Sequence, residues 1–258
     1  MDEPLSTLSA RQLTVRVGSR TLVDQFSVDF VPGEFVAILG RNGSGKTLSL
    51  QTLGGLRRPL NGEVTLDGAP LAQLGHRKIA RRLGFLAQDL EEGFVTTTLE
   101  SVRIGRHPHL SLWQWESEED DRIAQSALTS VQMDGFAERL TDTLSGGEKR
   151  RVFIASLLAQ DPEIFLLDEP TNHLDPHHQL AVLALFRQLA RTGRTVVATL
   201  HDPSLAARFA DRALLLSGDG TWKMGPVEET ITAATLSELY LTPMMELEKA
   251  GRRVFVPT

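Results

Sequence analysis

Apolar and polar residues alternate through FSVDF at 26–30, and after the turn VPGE the chain is wholly apolar through FVAIL at 35–39. Alternation predicts a strand with one buried face, and a short unbroken apolar run predicts a strand buried on both. A glycine-rich turn follows, and TLSLQTLGGL then reads as a helix. EVTLDG at 63–68 reads as a strand and turn, and RLGFLAQ at 82–88 as a strand ending in glutamine.

Between 96 and 160 the texture becomes helical. Thr97 and Glu100 have capping-box spacing, and Ile123, Ala127 and Val131 share one helical face. Apolar strands return with IFLLDEP (164–170), TVVATLHD (195–202) and RALLLS (212–217). Asp202 and Pro203 suit an N-cap and a first helical position. From 222 onward short strands flank a helix around Thr235–Leu241, and no internal repeat is present. The expectation is one α/β domain over 1–258, with a mostly helical subdomain inserted at 96–160 and a tail at 222–258.

Hydrophobic residues make up 41% of the 258, enough for a sizeable core. Cysteine is absent, which excludes disulfide frameworks, thiolate metal sites and cysteine nucleophiles. MDEPLSTLSA has no basic segment ahead of an apolar run, so it does not read as a secretory leader. No apolar stretch approaches the ~20 residues of a membrane span. Any membrane attachment is therefore expected to pass through a protein partner. The net charge of −6, from 27 basic and 33 acidic residues, speaks against a general nucleic-acid binder.

GRNGSGKT at 40–47 fits G-x-x-x-x-G-K-[ST] between a predicted strand and a predicted helix, the context this pattern requires. Gly40, Asn42, Gly43, Ser44 and Gly45 form a loop whose amides converge on phosphate oxygens, aided by the helix N-terminus. Lys46 is expected at the β and γ phosphates of ATP, and Thr47 at Mg²⁺. Asp168, after the apolar run IFLL, is the expected metal-supporting carboxylate, and Glu169 the group that orients or deprotonates the attacking water. His201, after TVVATL, is expected at the γ-phosphate or the water, rather than as a metal ligand. Gln88 ends its own strand as a neutral group able to sense both Mg²⁺ and the water, and it draws its weight from its order among these motifs.

A second phosphate-cradling turn stands about a hundred residues later, at LSGGEKR (144–150). Ser145 and Glu148 have capping-box spacing, so Ser145, Gly146 and Gly147 offer a hydroxyl and amides at a helix start. The plainer reading is a well-capped helix. The sharper one is a cradle that completes the γ-phosphate of an ATP held by a second copy.

The ordered set GRNGSGKT, FLAQ, LSGGEKR, IFLLDE, NHLD and TLH resembles the ATP-binding subunit of ABC transporters, over about residues 11–240. The resemblance implies an ABC-type P-loop core with the helical insertion and an antiparallel β portion near the N-terminus. It implies a head-to-tail dimer with two ATPs between the copies, and a communicating role for Asp175 in NHLD. GRHPHLSLW, AQDPEIFLLDEPTNHLD and HDPSLAARFAD look like the subunits of importers for iron siderophores, haem or cobalamin. Such subunits serve a permease dimer and, indirectly, a substrate-binding protein, at the cytoplasmic face of the membrane. An ABC-type ATPase that acts as a soluble assembly factor is the alternative. The family usually stacks an aromatic on adenine where this chain has Val17, so stacking is expected to be weaker or supplied elsewhere. Trp113 and Trp115 are expected to pack the insertion on its own core or meet the permease. The acids of LWQWESEEDD (112–121) are expected to form a solvated first helical turn. Lys149, Arg150 and Arg151 are expected to face a neighbouring subunit or solvent.

Overall fold

A computed structural model of the chain describes residues 7–88, 95–111 and 117–258. Trp113 and Trp115 lie outside the described residues. Strands β1 (Leu8–Val17) and β2 (Arg20–Phe30) pair antiparallel. The alternation at 26–30 has its expected result, with Phe26, Val28 and Phe30 buried and Ser27 and Asp29 exposed. β4 (Asn61–Leu66) pairs with the other edge of β1, and the short β5 (Ala69–Pro70) completes a four-stranded antiparallel sheet.

The second sheet contains β3 (Phe35–Leu39), β6 (Leu83–Leu86), β7 (Ile164–Leu167), β8 (Thr195–Thr199), β9 (Arg212–Leu216) and β10 (Trp222–Pro226). Their order is β10-β9-β3-β8-β7-β6, parallel throughout except for β10, which runs antiparallel to β9. Side chains two apart on a strand share a face. Thus Phe35, Ala37 and Leu39 join one core with Val102, Leu128, Val152 and Phe186, while Val36 and Ile38 join another with Leu8, Phe26 and Val64. The parallel sheet is the middle of three layers, which is why its strands are apolar on both faces.

Helix α1 (Lys46–Leu53) follows β3, and α2 (His76–Arg82) precedes β6. Between β6 and β7 lie α3 (Thr98–Arg103), α4 (Glu118–Ser130) and α5 (Gly146–Gln160). Crossover helices α6 (Pro176–Arg191) and α7 (Pro203–Phe209) connect β7 to β8 and β8 to β9. The chain closes with α8 (Val227–Thr230), α9 (Ala233–Tyr240) and the hairpin β11 (Met244–Lys249) and β12 (Arg252–Pro257). The boxes at Thr97–Glu100 and Ser145–Glu148 form as their spacing predicts, and Asp202 caps α7 ahead of Pro203.

Two surface expectations are corrected. The acids at 118–121 do not all face solvent, because Asp120 shares the buried stripe of α4 with Ala124, Ala127 and Leu128. Its carboxylate accepts from the Ser117 amide at 3.0 Å and from Arg106 Nε at 2.9 Å. These two donors hold it down at about 2. Arg106 also donates to the Ala159 carbonyl at 2.7 Å, so GRHPH fastens α4 to α5. Gly105 fits there because a Cβ would lie 2.0 Å from the Ser156 carbonyl oxygen. The second correction concerns the run 149–151. Arg150 turns inward and is only 1% exposed, while Arg151 donates to the carbonyls of Val131 and Gln132. No continuous basic face results.

Candidate functional site

The wholly buried β3 ends at Leu39 and α1 begins at Lys46, so 40–45 must turn the chain tightly at the sheet's C-terminal edge. Gly43 and Gly45 take φ values of 74° and 99°, a region in which a side chain is strained. Gly40 has another reason, since a Cβ would lie 2.4 Å from Ser44 Oγ and 2.6 Å from the Leu216 carbonyl oxygen. No side chain caps α1, so its first amides are left for an anion.

Lys46 is buried, and its Nζ donates to the loop's own carbonyls at Gly40 (2.9 Å) and Arg41 (3.3 Å). Burial pushes its pKa down, against the opposing pull of Glu169 and Asp168. Asp168 follows β7 and is also buried, which raises its pKa despite hydrogen bonding from the Thr199 and Thr47 hydroxyls. Its Oδ1 accepts from Thr199 Oγ1 at 2.7 Å, whereas Oδ2 is buried with no partner at full hydrogen-bond geometry. Ser44 Oγ is likewise buried without a partner. A buried cation and a buried carboxylate, each with its charged form disfavoured, leave the site electrostatically incomplete.

Glu169 is buried and takes the left-handed conformation at φ 49°. Its amide donates to Thr199 Oγ1 at 2.8 Å, and its Oε1 lies 2.5 Å from His201 Nε2. Asn172 Nδ2 donates to Oε2. Lys46, Thr47, Gln88, Glu169 and His201 therefore line one cleft of about 560 Å³. Val17, 47% exposed, lines the same cleft, and no Phe, Tyr or Trp is among the described residues that do.

Ser145, Gly146, Gly147 and Asp175 are absent from that cleft and line a second one of about 520 Å³. There the Ser145 hydroxyl accepts from the Glu148 amide at 3.3 Å, and the Ser145 amide donates to Glu148 Oε2 at 2.7 Å. The Ser145 amide and hydroxyl together hold the Glu148 carboxyl below its ordinary pKa. A Cβ on Gly147 would lie 2.9 Å from the His173 carbonyl oxygen, so α5 starts in close contact with the NHLD segment. Asp175 caps α6, accepting from the His178 amide at 2.9 Å.

Three contributors escape sequence reading: Thr199, which joins Asp168 to Glu169; Asn172, on the Glu169 carboxylate; and Arg150, beneath both. Thr199 reads in sequence as one more β-branched strand residue. Asn172 stood within NHLD, and Arg150 within an apparently basic run.

Residues 23–172 match a family model described as ABC transporter. The ferric enterobactin transport ATP-binding protein FepC of Escherichia coli (strain K12) is 36% identical over 260 residues, covering 100% of this chain and 96% of that protein. Among solved structures, a metal-chelate type ABC transporter in an inward-facing conformation matches with a TM-score of 0.85 at 29% identity, over 98% of both chains. A dimeric ATP-binding cassette in a post-hydrolysis state with ADP and phosphate matches with a TM-score of 0.74 at 29% identity, over 85% of this chain and 98% of that one.

Proposed function

This chain belongs to the ABC transporter family, and from that premise we propose that it is the ATP-hydrolysing motor of a metal-chelate importer, working as a head-to-tail pair of copies on a partner permease dimer. The observation that carries the dimer is the separation of the two cradles. The phosphate loop and the Ser145 turn line clefts with no residue in common, which supports assigning the second cradle to the nucleotide of another copy. Two copies related by a two-fold axis present each cradle to the other's ATP, as the dimeric state of a relative supports.

Within one copy, the amides of 40–45 and the Lys46 ammonium bind the phosphates. Thr47 and Asp168 would hold Mg²⁺ with Gln88 nearby: their donors are hard oxygens, and Oδ2 of Asp168 has no protein partner at full hydrogen-bond geometry. The ion supplies neutralisation of phosphate charge when bound. Glu169 orients or deprotonates the attacking water, which requires its carboxylate to release Asn172 or His201. His201 then meets the γ-phosphate or the water. Ser145, Gly146 and Gly147 of a second copy complete the γ-phosphate, and Asp175 links the paired sites. Closure and hydrolysis are thereby coupled, since the site is whole only in the dimer.

Among the described residues no helix is long and apolar enough to cross a membrane. In this reading the permease provides the membrane path at the cytoplasmic face, and a substrate-binding protein delivers the chelate to it. A Glu169→Gln variant should retain ATP and elute as a dimer by light scattering, and adding Ser145→Ala should return it to monomer. An ATP-loaded Glu169→Gln protein that stays monomeric refutes the clamp. Co-purification with a multi-span membrane protein from detergent extracts tests the importer assignment, and its failure favours the soluble assembly factor.

A further inference from the structure

The five N–H groups of Arg150 meet five backbone carbonyls. Nη1 donates to Ala87 (2.5 Å) and Gln88 (3.3 Å), Nη2 to Asp168 (2.5 Å) and Glu169 (2.8 Å), and Nε to Pro170 (3.5 Å). A guanidinium carries five donors in a rigid planar fork, so each has a protein acceptor here. Burial of this charge at 1% exposure is tolerated because those carbonyls replace water.

The acceptors fall on two segments, each just past the end of its strand. β6 and β7 pair in register up to Leu86 and Leu167, and the Asp168 amide makes one more bond to the Leu86 carbonyl at 2.8 Å. Beyond that point both segments leave the sheet, and they carry Gln88 on one side and Glu169 on the other. Arg150 takes over where the ladder stops. It stands in the second turn of α5, the helix that begins at the Ser145 cradle.

We propose that Arg150 is a positioning residue for hydrolysis, holding the backbone of Gln88 and the backbone of Glu169 as one body with the start of α5. A shift of α5 on engaging a second copy's ATP then moves both side chains together, and a shift of the Gln88 segment reaches Glu169 by the same route. Arg150 does not line the nucleotide cleft and touches no reacting atom. This assignment rests on the motor reading for the roles of Gln88 and Glu169.

The test is steady-state ATP hydrolysis by the full chain carrying Arg150→Lys, with Arg150→Gln as the second variant and circular dichroism to verify folding. An ammonium has three donors at one point and cannot span both segments. The expected result is a KM for ATP within about twofold of wild type and a kcat lowered at least tenfold. Combined with Gln88→Ala, Arg150→Lys should cost little beyond either change alone, because both release Gln88 from Glu169. The proposal is overturned by a kcat within twofold of wild type, by losses that multiply in the double variant, or by KM and kcat failing together. It is also overturned if neither variant folds, which would make Arg150 a structural residue only. If Glu169→Gln hydrolyses ATP at the wild-type rate, the motor reading itself falls. If Glu169→Gln is inactive while Arg150→Lys is fully active, only the positioning role falls.

Discussion

Replacing Thr199 by valine keeps the shape of the side chain and removes one hydroxyl, which in this fold bonds to both Asp168 and Glu169. It donates to Asp168 Oδ1 at 2.7 Å and accepts from the Glu169 amide at 2.8 Å, at a fully buried position. An amide left buried without an acceptor costs about 1–3 kcal/mol, and a lost bond to a carboxylate about 1.5–3 kcal/mol. One hydroxyl makes both bonds, so the losses overlap and about 3–4 kcal/mol is expected. For a chain of this size, ~2–4 °C per kcal/mol gives a melting temperature lower by roughly 6–16 °C. Thr199→Ser keeps the hydroxyl and loses one methyl, for about 1 kcal/mol. Urea unfolding of both variants separates the hydroxyl from the packing. There is also a functional sign. Thr199 opposes the upward push of burial on Asp168, so valine raises that pKa further. In its proposed role Asp168 must be ionised to hold a metal, so the acid limb of the kcat/KM profile should move to higher pH. The reasoning is refuted if valine costs under about 1 kcal/mol, or if serine costs as much as valine.

Ser145→Ala should cost the isolated chain only about 1 kcal/mol, the worth of an N-cap, yet lower kcat by a hundredfold or more; equal small effects on both would leave Ser145 a cap alone. Gly147→Ala places a Cβ 2.9 Å from the His173 carbonyl oxygen, so it should spare ATP affinity, measured by nucleotide titration, and abolish ATP-driven dimerisation. Asp120 is held at about 2, below its ordinary 3.8, by the Ser117 amide and Arg106. Its contribution to stability should be complete above pH 3.8 and vanish as the pH falls through about 2, so Asp120→Asn and wild type should differ in urea midpoint at neutral pH and converge in acid.

Features that depend on residues close together in the chain could be read before any fold was known. Unbroken apolar runs such as FVAIL required a sheet covered on both faces. The glycines of GRNGSGKT were readable because the loop demands positive φ at Gly43 and Gly45. The box at Ser145 and Glu148 was readable because a cap is a local geometry. Contacts between segments far apart in the chain emerged only from the folded molecule. Thr199 meets Asp168 across 31 positions, and Arg150 meets Ala87 across 63. Their places in an acidic and a basic run marked Asp120 and Arg150 as outward-facing, but the packing of neighbouring elements set which way each faced. Arg106 gave the first a buried partner, and strand-end carbonyls gave the second five acceptors. A buried polar group is stable only where its partners converge, and that convergence exists only in the folded chain.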